Sequence, residues 1–155
     1  MRVYTVKIHD NGDVFWHNAD GGLHREDGPA VVRPDGYKAW FCDGERHRED
    51  GPAIEWKDGT EYWYLDGELH REDGPAIVRP DGYKAWWVNG KRHREDGPAI
   101  EWKDGTEYWY LDGELHREDG PAIVHANGNK EWALNGNWLF EEEFEKRMKS
   151  WGTRS

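Results

Sequence analysis

The 155-residue sequence contains a single cysteine, Cys42. One thiol excludes a disulfide within the chain. Long apolar runs are missing too. No segment approaches the ~20 consecutive apolar residues of a membrane-spanning helix, and Met1 to Trp16 lacks the apolar stretch of a signal peptide. Positive charge is in deficit, with 21 Lys and Arg against 32 Asp and Glu and a formal charge of −11. Nucleic-acid backbones and anionic lipid surfaces both reward clustered positive charge, so neither is expected as the main partner. The balance favours solubility and a basic or neutral partner surface. Aliphatic side chains are scarce, so the core must be built largely from rings. The 11 Trp, 7 Tyr and 4 Phe supply them, at roughly 150–250 Å² of buried area each. The length suits one domain, and the expected location is cytoplasmic.

What is present is a repeat. His-Arg-Glu-Asp-Gly-Pro-Ala begins at His24, His47, His70, His93 and His116, always 23 residues apart. A fixed period of this size marks one supersecondary unit stacked on its neighbours. The units run 24–46, 47–69, 70–92, 93–115 and 116–138, and 47–69 is identical to 93–115. The deeper period is therefore 46, two units per block. Residues 1–23 share Asn11-Gly12 and Trp16 with the later units but lack the motif. They read as an N-terminal capping unit, since terminal repeats are usually atypical.

Each unit reads as a β-hairpin. In 70–92, Pro75 to Arg79 is the first strand, Pro80-Asp81-Gly82 the turn and Tyr83 to Val88 the second strand. Pro-Asp-Gly suits a type I turn followed by a left-handed Gly bulge. Asn89-Gly90 then ends the strand, and Lys91 to Asp96 reads as a loop. The second strands alternate with period two. One face carries Tyr37, Ala39 and Phe41 with their equivalents; the other carries Trp40, Trp63, Trp86, Trp109 and Trp132. Cys42 shares that second face with Leu65, Val88, Leu111 and Leu134, and reads as a small core filler. Ala39, Tyr62, Ala85 and Tyr108 alternate in size, which predicts each Tyr lying over an Ala next door. Lys38, Glu61, Lys84 and Glu107 alternate in sign. A parallel solenoid with 23 residues per coil is the rival fold and would stack Lys38 on Glu61. The reversal signals favour hairpins instead. In the tail, Leu139, Phe140, Phe144, Met148 and Trp151 fall near helical spacing, with acidic residues early and basic ones late, as the helix dipole prefers. A helix over about 140–150, within a capping segment 139–155, is expected to pack this stripe on the last hairpins.

The run Tyr83-x-Ala85-x-Trp87-x-Asn89-Gly90-Lys91-Arg92-His93, followed by Gly97-x-Ala99 and Asp104-Gly105, resembles the MORN repeat. The resemblance covers about residues 12–138. Ala85 stands where that family usually has Gly, and the His-Arg-Glu-Asp-Gly-Pro-Ala loop replaces a plainer Gly-x-Gly. This variant is similar to MORN-like repeats of bacterial, phage and large-DNA-virus proteins. The resemblance implies an all-β fold, an elongated, twisted, single-layer antiparallel sheet of hairpins. It implies protein binding, scaffolding or self-association as a homodimer rather than catalysis. For a repeat of this kind it also implies a host protein as partner, with the chain as inhibitor or adaptor of a defence system.

The residues point the same way. Five histidines in register invite a metal reading, but equivalent positions two strands apart lie roughly 9–10 Å from each other. They cannot share an ion that needs donors at about 2.0–2.3 Å. No metal or cofactor is expected from them; each His and Arg is expected to bond its own loop or the next. One group repeated along a line also differs from an active site, which gathers unlike groups at one point. Glu55 and Glu61, and Glu101 and Glu107, are candidate carboxylate pairs, read as solvated and relieved by Lys38 and Lys84. The tryptophan ladder Trp40, Trp63, Trp86, Trp109 and Trp132 is the sharpest binding candidate, as core or as stacking platform. A second row, Arg33, Trp56, Arg79, Trp102 and His125, offers cation–π contacts between Arg and Trp. A small-ligand binder for sugars or nucleotides, or a structural or membrane-peripheral scaffold, are the alternative functions.

Overall fold

In the computed structural model, which describes residues 3–152, the Asp-Gly turns of the main hairpins reverse the chain as the sequence predicts. In the unit at 70–92, the Gly82 N–H donates to Arg79 O at 3.1 Å and the Arg79 N–H to Tyr83 O at 3.0 Å. Asp81 Oδ1 accepts the Tyr83 N–H at 3.0 Å, and Gly82 has φ 93°. This is a type I turn closed by a left-handed residue. It sets Ile77 opposite Ala85, and Ala85 in turn lies opposite Ile100 of the next unit. Repetition of this step builds a 13-stranded antiparallel sheet from Thr5–Ile8 to Asn137–Leu139, with strands in sequence order. The sheet is an open single layer with one C-terminal helix, Glu141–Gly152. The parallel solenoid is excluded.

The second strand does not run through, contrary to expectation. At Trp86 the chain leaves the main ladder. The Trp86 N–H donates to Ala99 O at 2.7 Å, and its carbonyl accepts the His93 N–H at 3.1 Å. Beyond it, Trp87–Val88 pairs with Lys91–Arg92, residues expected to lie in a loop. Asn89 and Gly90 both have positive φ, 49° and 74°, the signature of a two-residue type I′ hairpin turn. The four units from 24 to 115 thus each contain a second, short side hairpin, whereas in the last unit the second strand runs through from Lys130 to Leu134, as expected, and pairs with Asn137–Leu139. The side hairpins stack as well: the Gly90 N–H donates to Leu69 O of the preceding side hairpin at 2.9 Å, and Gly113 to Arg92 O at 2.9 Å.

The core lies on the sheet face that carries Ala39, Ile54, Ile77, Ala85 and Ile100, all buried. Phe41 and Tyr64 from the side hairpins pack on Val31, Ala39 and Ile54, and Trp87 and Tyr110 on Ile77, Ala85 and Ile100. Ile54 stands in register between Ala39 and Tyr62. The small–large alternation therefore fills space around an intervening Ile, and Tyr does not lie directly on Ala. Glu55 likewise stands between Lys38 and Glu61.

Two end features correct the sequence expectation. Cys42 is exposed, not a core filler. Its counterpart Leu134 is buried, because the helix packs on the strand Lys130–Leu134; no helix covers Cys42. Of the predicted helical stripe Phe144 is buried, while Phe140 is 82% exposed and Trp151 is also exposed. Phe140 precedes the helix and contributes its carbonyl to the Phe144 N–H, which leaves its ring outside the packed face.

Candidate interaction surfaces

The repeated motif is a self-contained clamp. In the second copy, the Arg48 guanidinium lies 3.8 Å from the centre of the Trp40 ring. Its Nε donates to Asp50 Oδ1 at 3.1 Å and its Nη1 to Pro52 O at 3.0 Å. Gly51 backs the guanidinium: a Cβ there would sit 2.7 Å from Arg48 Cζ. Ala53 is fully buried, and its carbonyl accepts the Trp40 N–H at 2.7 Å. The same stack recurs as Arg71 on Trp63 and Arg117 on Trp109, both at 3.8 Å, and Arg94 on Trp86 at 3.9 Å. The predicted ladder Trp40, Trp63, Trp86 and Trp109 is thus half-buried and capped by arginines. Trp132 is different: it pairs with Leu139, which takes the place of the motif His. Sequence reasoning missed these arginines as ring partners. The signal was available, since each follows its Trp by eight residues.

The histidines serve the side hairpins. Nδ1 of His24, His47, His70, His93 and His116 accepts the N–H of Asp43, Asp66, Asn89, Asp112 and Asn135 at 2.9–3.1 Å. Each histidine thereby caps the type I′ turn of the next side hairpin. The structure spreads them along the sheet rather than bringing them together.

The second predicted row is continuous, but its contacts differ from those expected. Arg33 and Arg79 do not stack on Trp56 and Trp102. Tyrosines stand between them. Arg33 lies over Tyr37 at 4.7 Å, and Tyr37 and Tyr62 meet Trp56 edge-on at 5.5 and 5.0 Å. Arg79 donates to the Tyr62 hydroxyl at 2.9 Å and lies over Tyr83 at 4.6 Å. Tyr83 and Tyr108 then flank Trp102, and Tyr108 meets His125. Burial pushes the Tyr83 hydroxyl up from its ordinary value.

The opposite sheet face is charged. Glu55 lies opposite Glu61 and Glu101 opposite Glu107. Arg48 and Arg94 hold Glu55 and Glu101 at 3.0 and 3.1 Å, while Lys38 and Lys84 stand in register with them. The Thr60 and Thr106 backbone N–H groups hold the Asp58 and Asp104 carboxyls below their ordinary value. A hydrogen bond and the charge of Arg25 and Arg71 do the same for Asp27 and Asp73. Charge is unevenly placed along the sheet. Residues 47–69 hold seven carboxylates and two cations, and so do 93–115, whereas 70–92 between them holds three and five.

No family model matches the chain, and no curated protein matches it. Among the described residues no helix is long and apolar enough to cross a membrane.

Proposed function

We propose that this chain is a non-enzymatic, MORN-like protein-interaction module that engages a basic partner surface through the charged face of its two identical units. The carrying observation is the placement of charge. Residues 47–69 and 93–115 each have a formal charge of −5 and are separated by a unit of +2. Corresponding strands of the two acidic units are four strands apart in the sheet, about 19 Å at ordinary strand spacing. Charge complementarity of this kind steers encounter and suppresses wrong partners. A cytoplasmic host protein, bound and inhibited or bridged, is the partner class this reading favours. Capture from a lysate at low and high salt tests it. The wild-type chain should retain one stoichiometric basic protein, and a variant with Glu55, Glu61, Glu101 and Glu107 changed to Gln should lose it. Equal retention by the variant, or no retained protein, overturns the reading.

A second reading rests on Trp56, which is 36% exposed between two tyrosines. A planar sugar or base edge would find ring surface there. Saturable quenching of Trp fluorescence by a sugar or nucleotide panel, lost in Trp56→Ala, would favour this reading over the first.

A further inference from the structure

We propose that His24, Cys42 and Asp43 form a binding site for one divalent cation of the zinc class. Their ligand atoms lie within 4.8 Å of one another. His24 Nδ1 is 3.0 Å from Asp43 Oδ1, and Cys42 Sγ is 3.9 Å from Asp43 Oδ2. The Nδ1 lone pair accepts the Asp43 N–H at 2.9 Å, and a cation bound there would take that lone pair in its place. In two other units the same His–Asp contact recurs, at 3.1 Å for His47–Asp66 and 3.2 Å for His93–Asp112. There Leu65 and Leu111 stand at the cysteine position, so only two of the three donor groups are present. The first unit alone adds a thiol. Sulfur, imidazole and carboxylate together suit zinc or cobalt rather than calcium or magnesium.

The surroundings suit a metal site. The His24 side chain is 2% exposed and Tyr4 stacks on its ring at 5.6 Å, which fixes its orientation. Among the described residues its Nε2 has no hydrogen-bond partner, and it faces Glu26 Oε1 at 3.8 Å. The equivalent pair in the last unit closes to 3.3 Å. A carboxylate on the far nitrogen is the usual support of a metal-binding histidine. Asn18 Nδ2 donates to Asp43 Oδ1 at 3.1 Å. The amide cannot flip, because its Oδ1 accepts the Asp20 and Gly22 N–H groups. Ligation at Nδ1 displaces the Asp43 N–H to water, and the turn stays anchored by the Gly44 N–H on Leu23 O at 2.9 Å. Cys42 and Asp43 face solvent, so a water completes the tetrahedron. Binding releases the thiol proton.

The test is titration of the reduced full chain with Co²⁺. One equivalent should bring up a thiolate-to-cobalt charge-transfer band, and Zn²⁺ should abolish it. Cys42→Leu and Asp43→Asn install residues the chain itself uses at these positions, in Leu65 and Asn89, so the turn is preserved. Cys42→Leu should remove the band, and Asp43→Asn should weaken Co²⁺ binding at least about tenfold, the lower end of what even a supporting group contributes. Circular dichroism of both variants should match the wild type. No band in the wild type, or a band that survives Cys42→Leu, overturns the proposal.

Discussion

The Arg48 guanidinium is pinned between the Trp40 ring, 3.8 Å away, and the backbone of Gly51. Gly51 has no left-handed φ, so its need is for space alone. Gly51→Ala places a methyl 2.7 Å from Arg48 Cζ and should cost about 1–3 kcal/mol, as overpacking does. Urea unfolding measures it. In the background of Arg48→Ala the methyl has room, so the two losses should fail to add, with a coupling of about 1 kcal/mol or more. Additive losses would show that the glycine serves something other than the arginine. Carboxylates give a second residue-scale prediction. The Asp27, Asp58, Asp73 and Asp104 carboxyls are lower in the folded chain than their ordinary 3.8. A depressed folded value contributes stability that is present above the unfolded value and lost as pH falls through the folded one. The urea midpoint should therefore hold above about pH 5 and drop below about pH 4. Asp58→Asn with Asp104→Asn should flatten that drop; an unchanged drop would place its origin elsewhere.

At the scale of elements, the side hairpins depend on left-handed residues. Asn89 has φ 49°, and a β-branched side chain there should cost roughly 1–2 kcal/mol. Asn89→Val should lower the urea midpoint, while Asn89→Asp, the residue the chain already uses at the equivalent positions 66 and 112, and Asn89→Gly, which adopts positive φ freely, should leave it nearly unchanged. A midpoint insensitive to Val would mean that the side hairpin contributes little to the cooperative fold. These hairpins also mark what was legible in the sequence. The main hairpins were visible because Pro80-Asp81-Gly82 carries its turn type in its residues. The side hairpins were not: Trp87–Val88 read as the end of the second strand and Lys91–Arg92 as loop, because strands of two residues show no alternation that would mark the break at Trp86. The two faces around Ala39 and Trp40 were legible from period two. What lay over each face was not: the arginine caps come from the following motif, and Leu134 is buried on a strand that the helix packs against while Leu65, Val88 and Leu111 are half-buried and Cys42 is exposed. Helical spacing located that helix, yet it did not reveal that Phe140 would stay outside its packed face.

The whole sheet should behave as a chain of neighbours, with stability set by units and the interfaces between them. Two deletions separate that idea from one based on length. Removing residues 47–92 joins 24–46 to 93–115, whose sequence is identical to the 47–69 it replaces. Every interface in the shortened sheet is then one the intact chain already has. Removing only 70–92 keeps more residues but creates a new interface. Glu61, which pairs in register with Val78, would face Glu101, which pairs with Lys84. Glu55, Glu61, Glu101 and Glu107 would then lie on four consecutive strands, and like charges directly opposite are destabilising. On the core face Tyr62 and Tyr108 would both crowd Ile100, with Ala85 no longer between them. The shorter protein should therefore unfold cooperatively at a higher urea concentration than the longer one. The reverse order would mean that length, rather than the match of each unit to its neighbour, sets the stability of the sheet.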